Sequence, residues 1–217
     1  RGSKCYRQGL DKRGKELANS YKINKITFEE NDIIIDCGAN YGDLLIYLNN
    51  LDINLNYFGF EPGIKEFNTL ELNLKNFKSK IKSELHRLGL GEKNCTKNFY
   101  YSPEDGDSSL IEISNFESKL KIEVIKLDTF IGNNIGDKKI KLLKLEAEGS
   151  EPEVLLGSKD KIKNIEYIAA DVGPERGINK QCTITEVINY LQEEDFILID
   201  FGYPRLTALF RNKKFME

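Results

Sequence analysis

The chain has 217 residues, of which 40% are hydrophobic and 31% are charged, and its formal net charge is −3. This length fits one α/β domain with a sizeable core. The slightly acidic balance argues against a protein whose main partner is nucleic acid, because such domains usually carry a basic excess. No apolar run approaches the roughly 20 residues that span a bilayer.

The four cysteines lie far apart in the sequence, at Cys5, Cys37, Cys95 and Cys182. With a single histidine in the chain, this pattern argues against a zinc site, and it fits a reducing cytoplasm. The sequence begins at Arg1-Gly2-Ser3 without methionine. Such a start is typical of a tag remnant or an excised domain, so upstream domains stay open.

The first predicted element is a helical segment over residues 1–30, in which Leu10, Leu17, Ala18 and Tyr21 recur at near-helical spacing. We expect its helix to lie across the mouth of a cofactor site. The predicted main domain follows over residues 31–217.

A buried strand, a glycine turn and a helix come next. Ile33-Ile34-Ile35 is typical of a strand that is buried on both faces. The turn Asp36-x-Gly38-x-x-x-Gly42 follows, and Asp43 is placed to cap the next helix. A strand, turn and helix in this order form a pocket for a nucleotide-like ligand. We therefore predict cofactor contacts at Asp36, Gly38, Asn40, Tyr41 and Gly42.

The turn lacks the third glycine of the dinucleotide-binding pattern G-x-G-x-x-G. Asp36 precedes the first glycine and Asp43 stands where a phosphate would lie, so both acids disfavour an anion and favour a cationic ligand. S-adenosylmethionine has no phosphate and carries a sulfonium and an ammonium group. It therefore suits the predicted site.

The second predicted strand, Leu55–Phe60, delivers Glu61 and Pro62. Glu61 lies 25 residues after Asp36, close to the roughly 20-residue offset at which a Rossmann-like fold places an acid on ribose hydroxyls. The alternative is that Glu61 caps the helix that follows.

Five segments stand out by their order and spacing: Ile35–Gly42, Gly59–Pro62, Asp107–Leu110, Lys126–Phe130 and Leu143–Glu151. Together they resemble the FkbM family of S-adenosylmethionine-dependent methyltransferases over roughly residues 30–175. The resemblance implies a class I methyltransferase fold, which is an α/β, Rossmann-like sheet of seven strands with the last one antiparallel and helices on both faces. It also implies methyl transfer to a hydroxyl, commonly of a sugar, polysaccharide or polyketide, with S-adenosylhomocysteine as product.

The third predicted strand, Ile81–Gly91, ends in glycines, and the resemblance places Leu88, Gly89 and Leu90 beside the adenine. His86 is a candidate general base, although its position inside the strand favours a structural role. Alternating polar and apolar residues predict a small β insertion over about residues 95–125. The resemblance implies that Ser108 or Ser109 in this insertion bonds the adenine edge.

The fourth predicted strand, Lys139–Leu145, delivers Glu146 and Glu148 at the carboxyl edge of the sheet. Acids at such an edge are costly to bury unpaired, so both are candidates for function. Glu146 is predicted to bind the ammonium group of the cofactor, where the family usually has Asp, and Glu148 to face the acceptor or a cation. The fifth strand ends at Asp171, which is a further candidate to take a hydroxyl proton.

The chain ends in a predicted helix and two strands. Thr183-x-x-Glu186 predicts a capping box at the start of the helix. Phe196–Ile199 and Leu206–Phe210 are strands whose short connection makes them antiparallel. This ending is expected of a class I methyltransferase.

The predicted reaction is in-line methyl transfer to an acceptor hydroxyl, with Asp171 or Glu148 as the base. An alternative mechanism has these acids hold a divalent metal such as magnesium, although no metal site is predicted. The rival functions are N-methylation, a nicotinamide-dependent oxidoreductase and a non-catalytic binding module. N-methylation is weakened because no Asn/Asp-Pro-Pro-aromatic motif follows the fourth strand. The expected partner is a small-molecule or glycan acceptor, and its identity and the oligomeric state stay open.

Overall fold

The central sheet brings the carboxyl ends of its parallel strands to one edge. A computed structural model describes residues 9–76, 80–102 and 108–216. The helices are α1 (Leu10–Ser20), α2 (Asp43–Asn49), α3 (Ile64–Asn76), α4 (Leu127–Asn134), α5 (Glu151–Leu156) and α6 (Ile184–Glu193). The strands are β1 (Ile33–Cys37), β2 (Asn56–Phe60), β3 (Lys82–His86), β4 (Gly89–Leu90), β5 (Cys95–Tyr101), β6 (Ser118–Ile125), β7 (Ile140–Leu145), β8 (Ile165–Asp171), β9 (Pro174–Arg176), β10 (Gln181–Cys182), β11 (Phe196–Gly202) and β12 (Thr207–Asn212). Within these described ranges, no helix has both the length and the apolar character needed to cross a membrane.

The seven strands of the central sheet follow the order β11-β12-β8-β7-β1-β2-β3. β1 is parallel to β2 and β7, and β7 is parallel to β8, whereas β12 is antiparallel to β8 and β11. The predicted α/β fold, with a mostly parallel sheet of seven strands and an antiparallel last strand, is confirmed. Because β2 lies on one side of β1 and β7 on the other, a crevice opens at the carboxyl ends of these three strands.

Helices cover both faces of the sheet, and the alternation of side chains along β1 divides the core in two. Ile34 belongs to the core that includes Leu45 of α2, and Ile35 to the core that includes Ile131 of α4, since successive side chains of a strand point to opposite faces. All residues of β7 are buried, as expected at the centre of a parallel sheet.

α1 packs closely against α2. A Cβ atom on Gly14 would lie 2.9 Å from the backbone nitrogen of Tyr47, so the glycine allows the two helices to approach each other. Arg13 of α1 also forms an ion pair of 2.6 Å with Asp43 of α2. The N-terminal helix is therefore part of one core face of the sheet.

A separate three-stranded sheet, in the order β4-β6-β5, forms the β insertion. β5 and β6 are antiparallel, as their alternation predicts, and β4 joins β6 in parallel. The single strand predicted over residues 81–91 is therefore two strands, because the chain leaves the central sheet after His86 and enters the insertion at Gly89. A Cβ atom on Gly89 would lie 3.3 Å from both Ile122 and Leu110, so the insertion packs tightly around this point.

The sequence predicts the start of α6 correctly, but the two side-chain caps that it predicts are not formed. Thr183 is the N-cap residue of α6 but its side chain makes no cap hydrogen bond, and its hydroxyl donates instead to Glu151 Oε2 at 3.3 Å. Gly42 is the N-cap residue of α2, and Asp43 in the first turn binds Arg13. In both cases the side chain that the local pattern predicts as a helix cap binds a partner that is distant in sequence.

Candidate cofactor and acceptor site

An open cleft lies at the carboxyl ends of β1, β2 and β7, and its empty space, counted together with the solvent at its open side, is about 680 Å³. Most of the predicted site residues line it: Gly38, Asn40, Glu61, Pro62, Leu88, Gly89, Leu90, Ser108, Ser109, Glu146 and Glu148. Further residues complete its walls: Cys37, Phe60, Glu66, Phe99, Leu110 and Ala147. The cleft thus lies between the central sheet and the insertion.

The turn after β1 needs a glycine at Gly38, whose φ is +75°. A Cβ atom there would lie 1.9 Å from the carbonyl oxygen of Glu146, so no side chain fits between the ends of β1 and β7. The N–H groups of Gly38 and Ala39 both donate to the carbonyl of Phe60 at 3.0 Å. The turn is thereby fixed against the end of β2, with its backbone exposed to the cleft.

Glu61 stands at the end of β2 and is only 7% exposed. Its Oε1 accepts from the Gly63 N–H at 2.7 Å, and its Oε2 from the Asn40 N–H at 2.9 Å. Burial raises the pKa of Glu61 to about 7, although both hydrogen bonds act in the opposite direction. A ligand hydroxyl that donates to this carboxylate would favour its ionised form. Because Gly63 directly precedes α3, Glu61 holds the helix start and is still available to a ligand.

Asn40 supplies the cleft with an unused acceptor. Its Oδ1 atom is buried and has no hydrogen-bond partner within the described part of the chain. Glu61 and Glu148 add carboxylates to the same cleft. Acceptors and negative charge of this kind fit the ammonium group and the ribose hydroxyls of S-adenosylmethionine, and they do not fit a phosphate.

A buried chain of ion pairs begins at Lys144 in β7. Its Nζ atom lies 2.9 Å from Asp36 Oδ1 and 2.8 Å from Glu146 Oε2, and it donates to the carbonyl of Gly38 at 2.8 Å. Asp36 also accepts from the Tyr57 hydroxyl at 2.6 Å. Burial lowers the pKa of Lys144, but the two acids outweigh it and hold the pKa well above its ordinary value. Lys144 is therefore the protonated counter-ion of both acids.

Arg205, on the turn between β11 and β12, continues this chain. Its guanidinium donates to Glu146 Oε1 and, through Nε, to Asp171 Oδ2 at 2.6 Å. The hydroxyl of Tyr21 also donates to Asp171, at 3.3 Å. Burial raises the pKa of Glu146, but Arg205 and Lys144 outweigh it and hold the pKa well below its ordinary value. Glu146 is thus a carboxylate whose two oxygens are each bound by a cation.

Five of the predicted site residues do not line the cleft: Asp36, Tyr41, Gly42, His86 and Asp171. The two acids expected to select a cationic ligand each have a cation of their own, since Asp36 binds Lys144 and Asp43 binds Arg13. Because each of these two charges is neutralised within the protein, the prediction that they favour a cationic ligand is wrong. The negative charge of the cleft comes from glutamates on its walls.

His86 is packed among aromatic rings at the end of β3. Its ring stacks on Phe60 with centroids 4.9 Å apart and meets Phe130 edge-on at 5.0 Å. Burial lowers the pKa of His86. This packing supports the structural role that the strand position suggests.

Gly42 and Tyr41 act at the back of the turn. A Cβ atom on Gly42 would lie 2.8 Å from Leu70 Cδ1, so Gly42 allows α3 to approach the turn closely. The carbonyl of Tyr41 accepts from Asn73 Nδ2 at 2.8 Å. The described residues of α1 are not among those that line the cleft, and this helix packs against α2.

Of the two predicted serines, Ser109 joins the insertion to the loop after β7, and Ser108 makes a bond within the insertion. Ser109 Oγ donates to the carbonyl of Glu148 at 2.7 Å, and it accepts from the Ile111 N–H at 3.1 Å. Ser108 Oγ accepts from the Ser102 N–H at 2.8 Å. Both serines line the cleft, and Ser109 also holds the loop that carries Glu148.

Three side chains in or near the site were not predicted from the sequence: Glu66, Lys144 and Arg205. Lys144 had a signal, since it is a lysine within an apolar strand whose residues are all buried. Glu66 and Arg205 had none. An acid in a first helical turn and an arginine in a turn are both ordinary surface features.

The described residues were compared with the predictions about metal ligands and cysteines. No three His, Cys, Asp or Glu side chains among the described residues are grouped so that they could hold a metal ion. Cys37, Cys95 and Cys182 are free thiols. Cys5, and Asp107 of the resemblance segment, lie outside the described residues.

The strand order, the antiparallel last strand and the cleft at the carboxyl ends of β1 and β2 define the class I methyltransferase fold. The sequence matches the family described as Methyltransferase FkbM domain over residues 36–198. The chain therefore belongs to the FkbM family of S-adenosylmethionine-dependent methyltransferases, as its sequence segments predict. This membership disfavours the nicotinamide-dependent oxidoreductase.

A curated relative is similar over part of its length. Methyltransferase 1 from Beauveria bassiana (strain ARSEF 2860) is 22% identical over 152 residues, a match that covers 61% of this chain. The chain spans 61% of the length of that protein. The relative therefore agrees with the family assignment and says nothing about the acceptor.

Solved structures share the fold at low sequence identity. Magnesium protoporphyrin IX methyltransferase from Synechocystis PCC 6803 with bound SAM has a TM-score of 0.54 and 10% identity, over 94% of this chain and 79% of that chain. Precorrin-6y C5,15-methyltransferase from Geobacter metallireducens GS-15 has a TM-score of 0.53 and 12% identity, over 90% and 86%. An rRNA methylase from Streptococcus thermophilus has a TM-score of 0.50 and 13% identity, over 90% and 96%. These likenesses show the fold alone.

Proposed function

We propose that this protein transfers the methyl group of S-adenosylmethionine to a hydroxyl oxygen of a sugar, a polysaccharide or a related small molecule. Membership of the FkbM family supports the cofactor and the reaction class. The observation that carries the proposal is Glu61, a buried carboxylate at the end of β2 that the backbone of Asn40 and Gly63 holds in the cleft. An acid at this place suits the ribose hydroxyls of a nucleoside.

The cofactor would be held by residues of three walls. Glu61 accepts from a ribose hydroxyl, and the walls near Gly89 and Ser109 flank the adenine. Asn40 Oδ1, which lacks a partner among the described residues, accepts from the ammonium group. Glu146 has Lys144 and Arg205 on its two oxygens, so it shares this role through its remaining lone pairs. When bound, S-adenosylmethionine supplies an electrophilic methyl group on a sulfonium.

Glu148 is the base that we propose for the acceptor hydroxyl. It lines the cleft, and Ser109 holds its carbonyl. Asp171 does not line the cleft, and it accepts from Arg205, Tyr21 and the Gly173 N–H. We therefore assign Asp171 to the support of Arg205. Glu148 takes the hydroxyl proton as the acceptor oxygen attacks, a role worth roughly 10²–10⁴ in rate.

We also propose a cytoplasmic location, an acceptor other than nucleic acid, and a division into a helical segment over residues 1–30 and a methyltransferase domain over 31–217. The free thiols of Cys37, Cys95 and Cys182 support the location. The net charge of −3 supports the choice of acceptor.

The test has a binding arm and a turnover arm. Calorimetry with S-adenosylhomocysteine is expected to give micromolar affinity that Glu61→Ala weakens at least tenfold, or about 1.4 kcal/mol. Methyl transfer to a panel of sugars and oligosaccharides is then measured for the wild type and Glu148→Gln. We expect Glu148→Gln to lower kcat by about 10² or more and to change cofactor affinity less than Glu61→Ala does.

Glu123→Gln, an exposed acid on β6, is the matched control and should retain full turnover. A wild type that does not bind the cofactor would overturn the proposal. So would methyl transfer that occurs on nitrogen and leaves hydroxyl acceptors unmodified.

A further inference from the structure

A second buried acid, Glu66, lines the cleft and has no part in the function proposed above. It lies in the first turn of α3 and is 6% exposed. An acid buried to this degree is unusual unless something compensates for its charge. Because Glu66 lines the cofactor cleft, a bound ligand could supply this compensation.

Glu61 and Glu66 converge at Gly63. A Cβ atom on Gly63 would lie 2.3 Å from Glu66 Oε2 and 2.9 Å from Glu61 Oε1. The absence of a side chain at Gly63 therefore lets the two carboxylates come together on one wall of the cleft. Two neighbouring acceptors of this kind match two donors on adjacent atoms of a ligand.

These two acids differ from three other acids close to the cleft. Asp36, Glu146 and Asp171 each bind Lys144 or Arg205. Among the described residues, no lysine or arginine forms an ion pair with Glu61 or Glu66. Hydrogen-bond donors from a ligand would supply the missing compensation.

Tyr101 of the insertion orients Glu66. Its hydroxyl donates to Glu66 Oε2 at 3.1 Å. Burial and the charge of Glu66 raise the pKa of Tyr101 to about 12, so the hydroxyl keeps its proton and remains a donor. This bond fixes one oxygen of Glu66 and leaves Oε1 for a ligand.

We propose that Glu66 is a specificity-determining residue of the cofactor site, where its carboxylate accepts a hydrogen bond from one ribose hydroxyl while Glu61 accepts from the neighbouring hydroxyl. The inference rests on the proposed function, because it assumes an adenosyl cofactor in this cleft. Two acids on one wall also reject a nucleoside with a phosphate on its ribose, since like charges oppose each other there. Tyr101 is the positioning residue for Glu66.

The test combines protein variants with ligand analogues. Calorimetry is run with S-adenosylhomocysteine and with its 2′-deoxy and 3′-deoxy analogues, on the wild type, Glu66→Gln and Tyr101→Phe. We expect Glu66→Gln to bind S-adenosylhomocysteine about tenfold more weakly than the wild type. We expect both proteins to bind one of the two deoxy analogues equally, because the hydroxyl that Glu66 contacts is missing from it. Tyr101→Phe should show the same pattern with a smaller change.

Glu112→Gln is the matched control. Glu112 accepts from the Tyr100 hydroxyl at 3.3 Å and does not line the cleft, so this variant should bind all three ligands as the wild type does. The inference is overturned if Glu66→Gln leaves every affinity unchanged or weakens all three by the same factor. A wild type that binds none of the ligands would overturn the proposed function as well, which distinguishes the two failures.

Discussion

Lys144 Nζ lies 2.9 Å from Asp36 Oδ1, and both side chains are buried at the carboxyl edge of the sheet. The acid that the glycine turn offers as a cofactor contact is thus the counter-ion of a lysine on the adjacent strand. The same lysine binds Glu146 and the carbonyl of Gly38. One ammonium group therefore ties the glycine turn to the acids at the end of β7.

Replacement of Lys144 should destabilise the fold strongly. Lys144→Met leaves buried Asp36 without its cation, while Glu146 keeps Arg205, and removal of one partner of a buried pair costs about 3–5 kcal/mol. The free energy of unfolding in urea measures the loss. Lys213→Met is the control, since Lys213 pairs with Asp195 at the surface with 53% and 79% exposure, and such pairs are worth about 0–1 kcal/mol. Equal losses in the two variants would show that burial of the ion chain adds nothing.

The pH dependence of cofactor affinity should follow Glu61. Its pKa is raised to about 7, and hydroxyl donors of the ligand favour the ionised form, so affinity for S-adenosylhomocysteine should rise as the pH increases through 7. Glu61→Gln should bind more weakly and lose this rise. Glu151, whose pKa burial also raises to about 7, is present in both proteins, so the difference between them isolates Glu61. Parallel pH profiles would contradict the assignment.

The same shift predicts the pH dependence of stability. Between about 4.5 and 7 the unfolded chain loses the proton of Glu61 while the folded protein keeps it. The free energy of unfolding of the wild type should therefore fall relative to Glu61→Gln as the pH rises through this window, by on the order of 3 kcal/mol at most. Above about 7 the difference should be constant. Denaturant titrations at a series of pH values measure it.

Gly38→Ala and Gly136→Ala separate backbone strain from steric clash. Both glycines have nearly the same φ, +75° and +74°, but a Cβ atom would meet Glu146 at 1.9 Å in the first and nothing within 4 Å in the second. Gly136→Ala should cost only the conformational strain, about 1–2 kcal/mol. Gly38→Ala should cost clearly more and abolish cofactor binding. Thermal unfolding and calorimetry test both, and similar losses would refute the close approach of β1 and β7.

Thr183→Val tests the bond that replaces the expected capping box. The valine removes the hydroxyl that donates to buried Glu151, which should cost about 1–3 kcal/mol. The cost should increase above pH 7, because Glu151 with its pKa of about 7 is then ionised and needs the donor more. Glu186→Ala, which would break a capping box, should change stability by less than about 0.5 kcal/mol, because Glu186 is exposed. A larger loss of stability in the Glu186 variant than in Thr183→Val would show that the capping box is formed after all.

The sequence by itself determined the order of strands and helices, the glycine turn and the family. These features are local: the run Ile33–Ile35 has the composition of a buried parallel strand, and Gly38 is required by a backbone conformation with positive φ. Glu61 and Pro62 likewise come directly after the predicted second strand, so their place at its carboxyl end can be predicted from the sequence. Each of these features depends on residues that are neighbours in the sequence, so the spacing of residue types is enough to predict it.

Only the tertiary structure decided which acids face the cleft. Asp36 and Lys144 are 108 positions apart, Glu146 and Arg205 are 59 apart, and these pairs form because the sheet order places their strands and turn together. Glu66 depends in the same way on Tyr101, 35 positions away. A carboxylate has the same appearance in a sequence whether a distant cation binds it or a ligand does. Its role is set by the charge that the fold places next to it.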